Sequence, residues 1–138
     1  MFTRLVQARK EEEGFTLIEL LVVIIIIGIL AAIAIPVFLN QRKKGWESAV
    51  KADLRNAATA EETVLTDTGT YTNAIADLQA VGFKYSPGSN YSGGTTPLIK
   101  ATANGSTDYC LEAKANGGAV WSYSSPAGLK TGACVATP

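Results

Sequence analysis

The residue whose chemistry stands out in this chain is Glu19, a carboxylate inside an otherwise apolar run from Phe15 to Leu39. Thr16 is the only other polar side chain in that run. An ionised carboxylate in apolar surroundings costs several kcal/mol and is normally retained only where it has a partner. Glu19 is therefore expected to be neutralised, either within its own chain or by another molecule.

The sequence contains no pattern of residues that is typical of a catalytic site. Histidine is absent, which removes the usual general base and metal ligand. The two cysteines are not in a C-x-x-C arrangement, no glycine-rich phosphate loop precedes a helix, and Asp67, Asp77 and Asp108 are scattered among turns. We predict a structural or adhesive protein with no catalytic residues, no metal site and no cofactor.

The charge distribution gives no support for nucleic-acid binding. Nine basic residues balance nine acids after Gly14, so the chain has no basic field. The only basic cluster there is Arg42-Lys43-Lys44, just past the apolar run. It can rest on lipid headgroups, pair with acids of a neighbouring molecule, or simply be a solvated helix face.

The apolar run is long enough to cross a membrane. Leu20 to Leu39 contains 20 residues, and a helix of that length spans about 30 Å, the hydrocarbon thickness of a bilayer. A secretory signal peptide has an apolar region of roughly 7 to 15 residues before its cleavage site. The length therefore favours a membrane-spanning helix.

The segment Gly14-Phe15-Thr16-Leu17-Ile18-Glu19-Leu20 resembles the beginning of the type IV pilins and pseudopilins. Precursors in this family have a short charged leader that ends in Gly, followed by a hydrophobic helix with Glu five residues into the mature chain. Gly28 inside the helix and Pro36 further along match as well. The resemblance is close from Gly14 to Tyr71 and loose beyond.

The resemblance implies a division into a cleaved leader (1–14), a membrane and filament-core helix (15–40) and a globular head (41–138). A membrane-embedded prepilin peptidase would cut between Gly14 and Phe15 on the cytoplasmic side. It would then methylate the new amino group of Phe15. Residues 1–14 would be absent from the working protein.

Cleavage would also provide a partner for Glu19. The new cationic amino group at Phe15 lies about one helical turn from the carboxylate, and opposite charges attract strongly in a low dielectric. In pilins the implied pairing is between subunits, so Phe15 and Glu19 are predicted assembly residues, with neutralisation inside one chain as the alternative. The resemblance also implies that the helix between Gly28 and Pro36 can lose order on assembly; a simple kink at Pro36 is the alternative.

Beyond the apolar run the periodicity predicts an α+β head, as in the type IV pilin fold. One long helix from about Thr16 to Thr66 is expected, because apolar side chains recur at helical spacing after Pro36. These residues are Trp46, Val50, Leu54, Ala57, Ala60 and Val64. The segment 72–78 is predicted to be a loop or short turn.

The remaining sequence predicts a three-stranded antiparallel meander. The strands are Leu98–Ala103, Tyr109–Ala115 and Ala119–Ser124, separated by two segments that contain Asn-Gly, the strongest short hairpin signal. Trp121 and Tyr123 share a face, so they are expected to contact the amphipathic stripe of the helix.

Cys110 and Cys134 are the only two cysteines. An even cysteine count in a domain outside the membrane favours a disulfide bond. Many pilins have a similar carboxy-terminal pair, so the resemblance points the same way.

The prediction as a whole is a prepilin whose mature form polymerises through its hydrophobic helix into an extracellular filament. The family implies the membrane, the prepilin peptidase, an assembly ATPase and a platform protein as partners, besides further copies of the chain. Two alternatives remain at this point. They are a pseudopilin of a secretion system and a membrane-anchored binding module that does not polymerise.

Overall fold

The computed structural model describes residues 14–93 and 98–135. Its elements are helix α1 (Leu17–Thr68), helix α2 (Ile75–Ala80), a 3-10 turn (Gly88–Asn90) and strands β1 (Ile99–Asn104), β2 (Asp108–Lys114), β3 (Val120–Ser124) and β4 (Gly128–Thr131). The contacts divide the chain into two units, Met1–Leu39 and Asn40–Pro138. Residues 1–13 of the predicted leader lie outside the described residues.

Helix α1 has 52 residues and continues through Pro36. The predicted helix, Thr16 to Thr66, is thus confirmed to within two residues at each end. It ends where Gly69 adopts a positive φ of 81° and donates its N–H to the carbonyl of Leu65 at 2.8 Å, a C-cap that glycine adopts without strain.

In the first unit, the apolar side chains of α1 are exposed. Every large aliphatic or aromatic side chain from Leu17 to Leu39 is exposed. Among the described residues, α1 is the one helix long and apolar enough to span a bilayer. A helix suits that environment because it satisfies its backbone hydrogen bonds internally.

In the second unit, α1 presents the predicted stripe to a core. Five of the six predicted stripe positions are buried, and Trp46 is half-buried. The stripe also contains two acids that the apolar pattern did not include, Asp53 and Glu61. Both are buried, which makes their partners decisive for the stability of the unit.

The sheet has four strands in the order β1-β2-β3-β4, all antiparallel. One cross-strand row joins Ala101, Leu111, Tyr123 and Leu129, and all four belong to the core or pack against it. Trp121 lies on the same face, where the Lys51 ammonium of α1 is 3.7 Å from its ring centroid. The α+β fold and the contact of Trp121 and Tyr123 with the helix side are confirmed.

Two predictions about the head were wrong. The sheet has four strands rather than three, because β3 turns back after Ser124 and Gly128–Thr131 pairs with it. The segment 72–78, predicted as a loop or short turn, overlaps helix α2, whose buried Leu78 joins the core. Both elements are short: α2 adds Ile75 and Leu78, and β4 adds Leu129, to a core formed mainly by their neighbours.

The buried Asp53 ties the connection before β1 to helix α1. Its Oδ2 accepts hydrogen bonds from the backbone N–H of Ser86 at 2.8 Å, from the Ser86 hydroxyl and from the Tyr91 hydroxyl. Tyr91 in turn forms a β-bridge with Ala115, at the end of β2. Burial and the neighbouring carboxylate raise the pKa of Tyr91, so its hydroxyl remains a donor.

We expect Asp53→Ala to lower the free energy of unfolding of the head by about 3 kcal/mol, because it leaves buried donors of Ser86 and Tyr91 without an acceptor. Urea unfolding of the detergent-solubilised chain, followed by tryptophan fluorescence, measures the change. The matched control is Asp67→Ala, which removes an exposed acid of the same helix and should cost less than about 0.5 kcal/mol. Equal losses in the two variants would contradict the anchoring role of Asp53.

Glu61 is the other buried acid of α1. Its side chain is fully buried, and its Oε2 accepts the backbone N–H of Thr72 at 3.1 Å. Among the residues that the structure describes, its Oε1 has no hydrogen-bond partner. Burial raises the pKa of Glu61 above its ordinary value of 4.5, the Thr72 bond opposes that rise, and the charges of Glu62 and Asp77 add to it.

This raised pKa predicts a pH dependence of stability. A group that binds its proton more tightly when folded stabilises the fold below its unfolded pKa, and this stabilisation is lost as pH rises through the folded pKa. The head should therefore lose stability as pH rises above about 4.5. Urea midpoints at several pH values should fall less steeply for Glu61→Gln than for the unchanged chain. The exposed Asp67→Asn should leave the slope as it is, and an unchanged slope in Glu61→Gln would refute the assignment.

Candidate functional site

The first turn of α1 holds Glu19 in a capping box with Thr16. The Thr16 backbone N–H donates to Glu19 Oε2 at 3.0 Å, and the Thr16 hydroxyl donates to the same oxygen at 2.9 Å. In return, the Glu19 N–H donates to Thr16 Oγ1 at 3.2 Å. The first intrahelical bond runs from Leu20 N–H to the Thr16 carbonyl, so Thr16 is the N-cap residue.

The capping box orients the carboxylate without neutralising it. Both donors come from Thr16, an uncharged residue, and both bind Oε2; in the part of the chain that the structure describes, Oε1 accepts no bond. Negative charge at a helix N-terminus is favourable, which helps to hold the acid there. The exposed Glu19 can thus accept a further donor, and a cation is the donor that would remove its charge.

The Gly14-Phe15 peptide bond precedes this turn. Residues 14–16 are outside the helix, and Gly14 and Phe15 are exposed. A Cβ added at Gly14 would meet no atom of the described residues within 4 Å, so no contact among them requires glycine there. An exposed, non-helical peptide bond is the form in which backbone is open to a protease.

Thr16 is the site residue that we did not predict to hold Glu19. The signal is present in the sequence, since Thr16 and Glu19 have the T-x-x-E spacing of a capping box ahead of an apolar run. The cap explains how α1 begins at Leu17 without leaving its first donors unpaired.

Gly28 and Pro36 lie within α1, about 13 Å and 25 Å along the helix from Glu19. The structure does not bring them to the first turn. A Cβ at Gly28 would meet nothing within 4 Å in the described part of the chain, so no contact there requires glycine. Their predicted role in helix flexibility remains a prediction.

The predicted disulfide bond between Cys110 and Cys134 is present, and it is confirmed. Cys110 lies in β2 one residue before the core-facing Leu111, so it belongs to the opposite face of the sheet. The Cys134 N–H donates to Glu112 Oε2 at 2.9 Å, on that same outer face. The bond and this contact hold the segment after β4 against the sheet.

Comparison with known proteins finds matches over both the first turn and the head. Residues 9–35 match the family model for the prokaryotic N-terminal methylation motif. The type IV wide pilus major component PilA4 of Thermus thermophilus is 39% identical over 117 residues, which is 85% of this chain and 84% of that protein.

Two other relatives match over a shorter length. The type IV major fimbrial protein FimA of Dichelobacter nodosus is 50% identical over 56 residues, 41% of this chain and 36% of that protein. The type II secretion system core protein G of Pseudomonas aeruginosa is 33% identical over 73 residues, 53% of this chain and 51% of that protein.

The match to PilA4 extends beyond the helix into the head, because it covers 85% of this chain. The methylation motif includes the capped turn with Gly14, Phe15 and Glu19. A long exposed apolar helix, a four-stranded antiparallel sheet and a disulfide-bonded tail complete the correspondence with the predicted fold. The chain belongs to the type IV pilins.

Proposed function

We propose that this pilin, cleaved after Gly14, polymerises through α1 into an extracellular filament and is the structural subunit of that filament. One observation carries the proposal. An uncovered apolar helix begins with a carboxylate that its own chain orients but does not neutralise. Other copies of the same helix can supply both the apolar cover and the missing cation.

Processing would create that cation. Cleavage of the Gly14-Phe15 bond by a prepilin peptidase releases a positively charged amino group at Phe15, and methylation of that nitrogen leaves it cationic. The match to the methylation motif and the exposure of this bond support the step. Removal of residues 1–14 also removes the three consecutive acids Glu11-Glu12-Glu13, whose burial in an apolar core would be prohibitively costly.

Assembly would then pair Glu19 of an incoming subunit with Phe15 of one already in place. The capping box keeps Oε2 occupied by Thr16 and leaves Oε1 for the neighbour's amino group. In apolar surroundings such a pair is favourable only when both charges meet, because either one alone is heavily penalised. The pair therefore selects a single axial register between neighbouring helices.

The energetics of the transfer imply further partners. Apolar side chains worth about 1.5 to 3 kcal/mol each in water gain little when they move from lipid into a bundle of similar helices. The free energy of moving α1 from the membrane into the filament is thus close to zero, so extraction needs work from outside the filament. An assembly ATPase and a platform protein would supply this work. The segment from Gly28 to Pro36 is where α1 would lose helical order.

We propose no enzymatic role for the head. Its buried acids, Asp53 and Glu61, are bonded to backbone groups and to Tyr91 in the core rather than facing a cleft. The relative from a type II secretion system supports a second candidate, a pseudopilin that builds a short periplasmic fibre. The pilin role is favoured because the match to PilA4 covers far more of the chain.

The proposal is tested by shearing surface fibres from the source cell, imaging them by electron microscopy and identifying their subunits by mass spectrometry. We expect fibres that contain peptides of this head, their absence from cells in which the gene is deleted, and their return on complementation. Fibres that persist after deletion would exclude a principal structural role. A chain found only in periplasmic fractions would favour the pseudopilin.

A further inference from the structure

We propose that a basic collar at the end of the apolar run, formed by Arg42, Lys43, Lys44 and Trp46, binds anionic lipid headgroups on the outward side of the membrane before assembly. The inference goes beyond filament formation, and it takes the outward position of the head from the proposed function. It concerns the stored subunit and the surface that it rests on.

The collar is placed at headgroup depth by its position in the sequence. Arg42 and Lys44 follow Leu39, the last residue of the apolar run, by three and five residues of the same helix. At 1.5 Å per residue this is about 4.5 to 7.5 Å. The polar layer on each side of the hydrocarbon is about 5 to 7 Å thick, so the three cations fall within it.

No acid in the described part of the chain neutralises the charge of the collar. All three cations are exposed, and within residues 14–93 and 98–135 none of them forms an ion pair. The nearest acid in sequence, Glu47, accepts the N–H of Ala119 at 3.3 Å and lies against Gly118. The carboxylate best placed to neutralise the collar is therefore engaged with the head.

Trp46 adds to the collar an aromatic side chain of the kind that is enriched at membrane–water interfaces. The Arg42 guanidinium lies 5.0 Å from the centroid of the Trp46 ring, and Trp46 is half-buried. Indole rings concentrate at the boundary between hydrocarbon and headgroups, where one part of the ring is apolar and the other is wet. An arginine stacked on such a ring keeps its N–H groups free for phosphate oxygens.

The next cation on the helix marks the limit of the collar. Lys51 lies 3.7 Å from the Trp121 ring of β3, so it is engaged inside the head. Between Glu19 and Glu47 the three collar cations are the only charged residues in the sequence. Once the leader is removed, they are the charges of the mature anchor that can meet a lipid surface at this end.

The test uses the processed full-length chain in bilayers, on a Trp121→Phe background that leaves Trp46 as the only tryptophan. Quenching of Trp46 by brominated phosphatidylglycerol and by brominated phosphatidylcholine gives the relative binding constant of anionic over zwitterionic lipid. We expect a ratio of at least about fivefold at low salt that falls at high salt. The triple variant Arg42→Gln, Lys43→Gln, Lys44→Gln should bring the ratio close to one.

The matched control neutralises three exposed lysines elsewhere in the head, Lys84→Gln, Lys100→Gln and Lys130→Gln, and should keep the ratio. A ratio near one in the unsubstituted chain would overturn the proposal. So would an equal loss in the two triple variants, since that would reflect net charge rather than the collar. A collar variant that keeps the lipid ratio but loses surface fibres would assign the cations to a neighbouring subunit instead. Fibre yield of the unsubstituted chain reports on the proposed function independently.

Discussion

Replacing Glu19 with alanine is expected to reduce sheared fibres to less than about a tenth of the normal yield while the protein remains in the membrane. The substitution removes the only carboxylate of the apolar run and leaves the amino group of each Phe15 without its partner. A buried charge left unpaired costs about 3 to 5 kcal/mol, which far exceeds the amount needed for a tenfold effect. Fibre yield per cell, normalised to the membrane content of the chain, is the measurement.

Two further variants separate the charge of Glu19 from its capping bonds. Glu19→Gln keeps an acceptor for Thr16 but has no charge, so it should fail to form fibres as alanine does. Thr16→Val removes the hydroxyl of the capping box and keeps the charge, so it should form fibres at a lower yield. Normal yield from Glu19→Gln would mean that Glu19 is only a helix cap and would remove the intersubunit contact.

A larger residue in place of Gly14 is expected to block cleavage and, with it, filament formation. Glycine has no side chain, so the backbone before Phe15 can enter a narrow protease site that valine could not. A Cβ at Gly14 meets nothing within 4 Å in residues 14–93 and 98–135, so Gly14→Val should not disturb the fold of that part. The uncleaved precursor should accumulate in membranes, as shown by a chain that still begins at Met1.

Gly28→Ala is the matched control, because a Cβ at Gly28 also meets nothing within 4 Å but lies inside the helix and away from the cleavage site. Its processing should be normal, whatever its effect on filament flexibility. If Gly14→Val were processed as fast as the unchanged chain, glycine would not be the recognition element at this position.

The long helix and most of the sheet could be predicted because strong periodic signals specify them. The length of the apolar run and the helical spacing of the stripe through Val50, Leu54 and Ala57 both indicate a helix, and the structure keeps one helix throughout. The turns at Asn104-Gly105 and Asn116-Gly117 join the strands as expected, with Gly105 and Gly117 at positive φ. In the helix and at the two Asn-Gly turns, the local sequence signal agrees with the fold.

Strand β4 could not be predicted in the same way. It is four residues long, and Leu129 is its one apolar side chain, so its pairing depends on β3 rather than on a pattern of its own. A turn signal was nonetheless present in Ser125-Pro126, followed by a glycine at position 128. Short elements that complete an existing sheet give weak periodic signals.

The roles of Asp53 and Glu61 could not be predicted from periodicity at all. Both occupy core positions of the stripe, where an apolar pattern scores a polar residue as a mismatch. Their partners, Ser86, Tyr91 and Thr72, come from segments without regular secondary structure and 11 to 38 residues further along. Only the folded chain places these donors against the helix.

Whether this chain works as a processed subunit inside a polymer is tested most directly by the intact mass of the subunits in purified surface fibres. We expect a single population beginning at Phe15, with its amino group methylated and with Cys110 and Cys134 joined. A chain that still begins at Met1 in the polymer would contradict it. In that case the acids Glu11-Glu12-Glu13 would be part of the fibre, and the membrane-anchored binding module would again be the better explanation.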